Sequence, residues 1–101
     1  MADETRTASA ARLLVATLEA NGVDRVFLVP GESYLAVIDA LADSAIATVP
    51  ARQESGAAFM AEATAKLTGK PGICMVTRAP GATNAAAGLH VAEHDSTPMI
   101  L

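Results

Sequence analysis

The alternation of helix-like segments with short apolar runs limits the fold of this chain more than any other feature. The apolar runs do not alternate polar with apolar residues, which is typical of strands buried on both faces. The sequence therefore predicts an α/β fold in which a parallel sheet has helices on both faces. The predicted helices span 9–21, 34–42, 54–68 and 81–94, and the predicted strands span 25–29, 45–49, 72–77 and a run that starts at 98.

Composition and charge exclude several classes of protein. With 51% hydrophobic and 18% charged residues the chain is not a disordered tail, and its net charge of −4 without a basic patch argues against a nucleic acid partner. Cys74 is the one cysteine and lies in an apolar run, so we expect a buried thiol without a disulfide. No signal-peptide pattern and no membrane-spanning run is present. We therefore expect a soluble, cytoplasmic protein with no membrane partner. Residues 1–8 are predicted to be a loose segment, and residues 9–101 to form one domain.

Three loops are predicted to meet at one edge of the sheet, because each follows the carboxyl end of a parallel strand. They span 30–33, 51–54 and 77–84. Ligands of open α/β sheets bind in the crevice at that edge. Pro30-Gly31 and Pro80-Gly81 allow sharp turns and a close approach of backbone to a ligand. Taken alone, each turn is more simply explained as a Pro-Gly pair that ends a strand and starts a helix.

Glu54 is the candidate of greatest interest, and two interpretations of it stay open. A glutamate in a first helical turn stabilises the helix dipole by roughly 0.3–1 kcal/mol and needs no function. However, Ala57, Ala58 and Ala61 follow at helical spacing, so Glu54 borders a tightly packed apolar face. Burial there favours the protonated carboxyl and would make proton sharing feasible, whereas the helix N-terminus favours the carboxylate.

Other candidate sites are weaker. His90 and His94 are four residues apart on one helix face, as a metal pair can be, but no third ligand follows at metal spacing. We expect a solvated or core-edge histidine pair instead. Gly69-Lys70 lacks the preceding residues of a P-loop.

Several motifs, taken in order, resemble one family: the N-terminal pyrimidine-binding domain of thiamine diphosphate-dependent enzymes of the acetolactate synthase and pyruvate oxidase group. The resemblance runs from about residue 9 to the last residue and implies a flavodoxin-like fold, incomplete at its C-terminus. The motifs that carry it are Val29-Pro30-Gly31-Glu32, the segment from Arg52 to Ala63, the segment from Thr68 to Thr77, Pro80-Gly81-Ala82-Thr83-Asn84 and Asp95-Ser96-Thr97-Pro98.

The resemblance implies a catalytic role for Glu54. In this family the glutamate at this place hydrogen-bonds a ring nitrogen of the cofactor's aminopyrimidine and promotes the tautomer that removes the thiazolium C2 proton, after which a 2-oxo acid is attacked and decarboxylated. The residues that the resemblance assigns to cofactor binding are Pro30, Gly31, Glu54, Thr77, Pro80, Gly81 and Asn84.

Two departures from the family pattern bear on the substrate. Arg78-Ala79 stands where Ser-Gly is common, and Glu32 stands where acetolactate synthases commonly have Gly. The resemblance places Glu32 and Arg78 on the substrate side of the site. The guanidinium of Arg78 either favours an anionic substrate or points to solvent, so the substrate of acetolactate synthase is not carried over.

The resemblance also implies partners that this chain does not contain. The family binds the diphosphate and Mg²⁺ through a separate C-terminal domain, and the site forms between two subunits of a homodimer or tetramer. FAD is possible in this group but nothing in the chain indicates it. The leading interpretation is therefore a fragment of a lyase or transferase that acts on 2-oxo acids and is inactive alone. The alternatives are a separate small subunit of a two-chain decarboxylase and a non-catalytic α/β binding module.

Overall fold

A computed structural model describes residues 7–101 of the chain. Of the predicted loose segment 1–8, the first six residues lie outside this part. The helices are α1 (Ala10–Ala20), α2 (Leu35–Ala42), α3 (Glu54–Thr68) and α4 (Arg78–His94), with a short 3-10 helix at Glu32–Tyr34. The strands are β1 (Arg25–Leu28), β2 (Ala47–Pro50), β3 (Gly72–Met75) and β4 (Met99–Ile100). None of the helices in residues 7–101 is long and apolar enough to cross a membrane.

The four strands form a parallel sheet in the order β2-β1-β3-β4, which confirms the predicted α/β fold. β1 pairs with β2 on one side and with β3 on the other, so Phe27 lies beside both Val49 and Cys74. The chain moves outward from β1 to β2 and then returns to place β3 on the opposite side of β1. This reversal creates a crevice at the carboxyl ends of β1 and β3, where ligands of such sheets bind.

Helices cover both faces of the sheet. Neighbouring residues of one strand point to opposite faces, so each strand packs against helices on both sides. Val26 and Leu28 of β1 pack with buried residues of α1 and α2 on one face. Phe27 of β1 and Cys74 of β3 pack with α3 and α4 on the other. The alanines that pack against this second face are Ala57, Ala58, Ala61 and Ala85.

Small residues let α3 approach both α4 and the sheet closely. A Cβ atom at Gly88 of α4 would lie 2.5 Å from the Cβ of Ala58. A Cβ atom at Gly72 of β3 would lie 2.1 Å from the carbonyl oxygen of Ala61. This spacing fixes the position of the N-terminus of α3 relative to α4, and both helices begin at the carboxyl edge of the sheet.

Helix α3 has the predicted bounds because capping residues lie at both of its ends. The side chain of Gln53 accepts a hydrogen bond from the backbone N–H of Ser55 across 2.6 Å, and Gly69 ends the helix with a φ of 73°. A left-handed residue at the end of a helix is most easily glycine.

Several predicted bounds were wrong by up to three residues. Helix α4 begins at Arg78 and not at residue 81, so Pro80 lies in a helical turn that was predicted to be loop. A proline is tolerated in a first turn, because the N–H it lacks has no helical partner there. Strand β3 ends at Met75, short of the predicted residue 77, and β2 covers Ala47–Pro50 and not 45–49. On α1 the buried residue is Val15, whereas Leu13 and Leu14 are exposed.

Candidate functional site at the carboxyl edge of the sheet

The candidate site lies where β1 and β3 end and where α3 and α4 begin. The backbone N–H of Val29 donates to the carbonyl of Met75 across 3.2 Å, which keeps the two chains together just past their strands. A separate groove lies at the opposite, amino edge of the sheet and is lined by Arg25, Thr68 and Lys70 among others. None of the predicted site residues lines that groove, so we place the site at the carboxyl edge.

Glu54 is half-buried in the first turn of α3, and its carboxylate is oriented by α4. The side-chain amide of Asn84 donates a hydrogen bond to Oε1 of Glu54 across 3.1 Å. Within residues 7–101 no other side chain donates to this carboxylate. One oxygen is therefore held in place while Oε2 can accept a further hydrogen bond or a proton.

Gly81 packs closely beside Oε2 of Glu54. A Cβ atom at this position would lie 3.5 Å from Oε2 of Glu54 and 3.1 Å from the Cβ of Val76. The glycine is buried in the first turns of α4. A side chain here would crowd Val76, so the glycine lets α4 begin close to Glu54.

Gly31 and Thr77 bring the loop after β1 against the segment after β3. A Cβ atom at Gly31 would lie 2.5 Å from the Cβ of Thr77, so only glycine fits without a shift of the threonine. The hydroxyls of Ser33 and Thr77 are hydrogen-bonded to each other. Thr77 is also the N-cap residue of α4, so this contact links the first loop to the start of that helix.

Tyr34 is a residue of this edge that the sequence reasoning missed. Its hydroxyl donates to the carbonyl of Val29, and the carbonyl of Met75 lies 3.2 Å from the same oxygen. Burial raises the pKa of Tyr34, and electrostatic repulsion from Cys74 and Glu54 in their ionised forms adds to the effect. The signal available in the sequence was its place three residues after Gly31 and its being the sole tyrosine.

Cys74 is buried on the face of the sheet that α3 and α4 cover, as expected for this thiol. Burial raises the pKa of Cys74 to about 11, and the charge of Glu54 contributes. At neutral pH the thiol is therefore protonated and a poor nucleophile. The charge of Glu54 thus contributes to the raised pKa of both Tyr34 and Cys74.

Pro30, Glu32 and Arg78 form no hydrogen bond or ion pair with Glu54 in residues 7–101. Pro30 borders an apolar groove with Leu28 and Ile38 on the α2 side of the sheet. Glu32 and Arg78 are exposed, and neither forms a hydrogen bond or an ion pair with a side chain in residues 7–101. Arg78 has a φ of 53°, a value that is uncommon for a residue other than glycine.

The histidine pair does not form a metal site with its neighbours. The rings of His90 and His94 are in edge-to-face contact with centroids 4.4 Å apart. Residues 7–101 contain no group of three or more His, Cys, Asp or Glu side chains that could hold a metal ion.

The site fits the pyrimidine half of thiamine diphosphate, by the chemistry of its donor set. A ring nitrogen and an exocyclic amine need a carboxylate that can accept a hydrogen bond or share a proton, and Oε2 of Glu54 meets this need. The fold and site thus define a ligand-binding α/β domain whose central side chain is an oriented carboxylate.

The chain belongs to the family described as the thiamine pyrophosphate enzyme, N-terminal TPP binding domain, whose model matches residues 8–101. The resemblance noted from the motifs is thereby confirmed. The match covers all four strands of the sheet and every predicted site residue.

The chain is similar to several curated proteins over most of its own length. It is 42% identical over 97 residues to a catabolic acetolactate synthase of Raoultella terrigena, 96% of this chain and 17% of that protein. It is 47% identical over 90 residues to an acetolactate synthase of Bacillus subtilis, 89% of this chain and 16% of that protein. It is 42% identical over 96 residues to a protein of Pseudomonas aeruginosa named "Probable 2-ketoarginine decarboxylase", 95% of this chain and 17% of that protein. The chain thus spans about a sixth of the length of these relatives.

Proposed function

We propose that this domain is the N-terminal part of a longer thiamine diphosphate-dependent enzyme that acts on 2-oxo acids, by decarboxylation or carboligation. The observation that supports this most directly is the half-buried carboxylate of Glu54, which Asn84 orients. It lies at the carboxyl edge of the parallel sheet, where the strand order reverses between β1 and β3. Family membership supplies the cofactor class. When bound, thiamine diphosphate supplies the carbon nucleophile and the electron sink for loss of carbon dioxide.

In this proposal Glu54 is the catalytic residue of the domain, because it exchanges a proton with the aminopyrimidine through Oε2. Asn84 is a positioning residue, since its amide holds Oε1 and so sets the direction of Oε2. Gly81 lets the first turn of α4 lie close to the carboxylate. Gly31 and Thr77 form the neighbouring wall, and Pro30 and Pro80 shape the two loops that lead to it.

The domain supplies only the pyrimidine half of such a site. Residues 7–101 hold no cluster of acidic or histidine ligands for Mg²⁺. We therefore propose that the diphosphate and Mg²⁺ are bound by a second domain, that a second subunit completes the site, and that the enzyme is a homodimer or tetramer. Its cytoplasmic location stays a prediction from the sequence, and the chain gives no indication of FAD.

The test is the variant Glu54→Gln in the complete enzyme. Glutamine keeps the size of the side chain and the contact with Asn84 but removes the transferable proton. We expect carbon dioxide release from 2-oxo acids, measured with thiamine diphosphate and Mg²⁺, to fall about 10²–10⁴-fold, the range for losing a general acid–base residue. The variant Glu93→Gln removes an exposed carboxylate at the other end of α4 and is the matched control.

Two results would contradict the proposal. Unchanged turnover in Glu54→Gln would remove the proposed role of Glu54. A complete wild-type protein without any cofactor-dependent turnover of 2-oxo acids would favour the non-catalytic binding module. The reading frame downstream of residue 101 separates a longer enzyme from a small subunit, since only the former continues into a metal-binding domain.

A further inference from the structure

Tyr34 lies at the point where the pairing between β1 and β3 ends. In a parallel pair the hydrogen bonds are evenly spaced, and a residue bonds to the two residues that flank its partner. Here the last bond runs from the N–H of Val29 to the carbonyl of Met75. A continuing ladder would next join the N–H of Thr77 to the carbonyl of Val29. Within residues 7–101 that bond is not formed, and the N–H of Thr77 donates to no other backbone carbonyl there.

The hydroxyl of Tyr34 takes the place of that missing donor. It donates to the carbonyl of Val29, and the carbonyl of Met75 lies 3.2 Å from the same oxygen. A phenol carries one proton, so Met75 is an alternative acceptor and not a second simultaneous one. The contact is partly buried, where a carbonyl without a donor would be unfavourable. Tyr34 therefore ends the β1–β3 ladder at the carboxyl edge.

The rest of the loop after β1 packs against the same segment. A Cβ atom at Gly31 would lie 2.5 Å from the Cβ of Thr77, and the hydroxyl of Ser33 is hydrogen-bonded to that of Thr77. These contacts occupy the line along which β3 would otherwise continue beside β1. Thr77 instead becomes the N-cap residue of α4, which begins at the next residue.

The first turns of α4 carry the residues that border the proposed catalytic carboxylate. A Cβ atom at Gly81 would lie 3.1 Å from the Cβ of Val76 and 3.5 Å from Oε2 of Glu54. The amide of Asn84 donates to Oε1 of the same carboxylate. Val76 directly follows the residue whose carbonyl lies beside the hydroxyl of Tyr34. A shift in the end of β3 would therefore move Gly81 and Asn84 relative to Glu54.

We infer that Tyr34 is a positioning residue of the proposed active site. By ending the β1–β3 ladder it sets where α4 begins, and through Asn84 it sets the direction of the Glu54 carboxylate. This inference rests on the proposed function and deepens it. It assigns a role at the same site to a side chain that forms no hydrogen bond with Glu54.

The first test needs neither turnover nor a variant. Amide hydrogen exchange is measured in the complete enzyme at single residues, by mass spectrometry with electron-transfer fragmentation. Relative to the intrinsic rates, the amide of Thr77 should exchange about tenfold or more faster than that of Val29, because only Val29 donates within the ladder. Equal protection of the two amides would show that the ladder does not end at Tyr34 and would overturn the inference.

The variant Tyr34→Phe keeps the ring and removes the hydroxyl. The carbonyl of Val29 then lacks its donor, and Thr77 is the next residue in register, so exchange of the Thr77 amide should slow about tenfold. In the complete enzyme we expect kcat for a 2-oxo acid to fall about tenfold with little change in KM, as for the loss of an interaction that acts only on the chemical step. Unchanged exchange at Thr77 in this variant contradicts the role of Tyr34.

A double-mutant cycle separates positioning from general damage. Because Tyr34 is inferred to act through Asn84, Tyr34→Phe should lower kcat only about twofold or less in an Asn84→Ala background. The matched control is Thr17→Val, which removes an exposed hydroxyl that donates to the carbonyl of Leu13 across 2.7 Å on α1. Thr17→Val should leave kcat unchanged in both backgrounds.

The outcomes distinguish this inference from the proposed function. An unchanged kcat in Tyr34→Phe, or an equal fall of kcat in the two backgrounds, overturns the role of Tyr34 and leaves the proposed function standing. A wild-type enzyme that releases no carbon dioxide from 2-oxo acids contradicts the proposed function. It also removes the positioning role, even where the exchange pattern shows that Tyr34 ends the ladder.

Discussion

The side-chain amide of Asn84 donates a hydrogen bond to Oε1 of Glu54 across 3.1 Å and joins the first turn of α3 to the second turn of α4. The two residues are 30 positions apart in the chain. Their contact depends on the close packing of the two helices, in which Gly88 faces Ala58. The orientation of the proposed catalytic carboxylate is therefore a property of the helix pair and not of α3 alone.

The first prediction concerns Asn84. In the complete enzyme, Asn84→Ala removes the donor to Oε1, and we expect kcat to fall about tenfold, because a hydrogen bond to a charged group contributes about 1.5–3 kcal/mol at most and this one is partly exposed to water. Asn84→Asp places a second carboxylate beside Glu54 and should lower kcat further. Steady-state kinetics with a 2-oxo acid measures both effects.

The neighbouring variant Thr83→Ala is the control for Asn84. Thr83 is exposed on the same turn and forms no side-chain hydrogen bond within residues 7–101. An equal loss of kcat in Thr83→Ala would mean that the start of α4 is sensitive to any change, and the positioning role of Asn84 would be wrong.

The order of the helices and strands was predictable, because it depends on local signals in the sequence. Helix α3 was bounded correctly by the residues before it and by Gly69 after it. The start of α4 was not, since Pro80 and Gly81 have the same appearance in a loop and in a first helical turn. The predicted strand ends were also wrong. The end of a strand depends on its hydrogen-bonded pairing with the neighbouring strand in the sheet.

The candidate site was predictable in its location but not in its contacts. Three loops at one edge follow from strand order alone, and they include Glu54 and Gly81. The bond between Ser33 and Thr77 and the position of the Tyr34 hydroxyl arise from packing between distant segments. No periodicity or spacing in the sequence encodes these contacts.

The second prediction uses two glycines of the helix pair. Gly88→Ala places a methyl group 2.5 Å from the Cβ of Ala58, so α3 and α4 must separate, and we expect a loss of about 1–3 kcal/mol in the free energy of unfolding. Gly56→Ala adds a methyl group where no atom lies within 4 Å and should stabilise the helix by about 0.5–1 kcal/mol. Urea unfolding followed by circular dichroism gives both values. If Gly88→Ala stabilised the protein as Gly56→Ala does, helix propensity would outweigh the close contact between residue 88 and Ala58.

The third prediction concerns the pH dependence of stability at Cys74. Burial raises the pKa of this thiol in the folded protein from 9.0 to about 11, with a further contribution from Glu54. Between these values the unfolded chain has lost the thiol proton while the folded protein retains it. The free energy of unfolding therefore falls as pH rises from about 9 to about 11, and this contribution is fully present below pH 9.

The variant Cys74→Ala isolates that contribution. It lacks the thiol, so its free energy of unfolding should fall less between pH 8.5 and about 10.5 than that of the wild type, although the smaller side chain lowers stability at every pH. Tyr34 titrates in both proteins, but Cys74 contributes to its raised pKa, so its effect cancels only in part. Parallel pH curves of the two proteins would contradict the raised pKa of Cys74.

The last prediction concerns Glu62, a buried carboxylate on α3 that sequence reasoning did not single out. The hydroxyl of Thr97 donates to its Oε1 across 3.0 Å, and Lys66 forms an ion pair with it at 2.9 Å. Lys66 also pairs with Asp95, whose pKa is lowered by the hydrogen bond from the lysine. These contacts connect α3 to the turn between α4 and β4, where Ser96 has a φ of 55°.

A double-mutant cycle tests whether this connection stabilises the fold. We expect Thr97→Val to cost about 0.5–1.5 kcal/mol in the free energy of unfolding, because Oε1 of Glu62 loses one hydrogen bond but keeps Lys66, and Glu62→Ala to cost more, because it removes both the acceptor of Thr97 and the ion pair with Lys66. The two changes share one contact, so their effects should differ from additivity by about 0.5 kcal/mol or more in urea unfolding. Thr83→Val, at an exposed position of α4, is the control for adding a β-branched apolar side chain. Strict additivity would show that the hydroxyl of Thr97 and the carboxyl of Glu62 stabilise the protein independently, and the turn before β4 would then owe its position to the backbone alone.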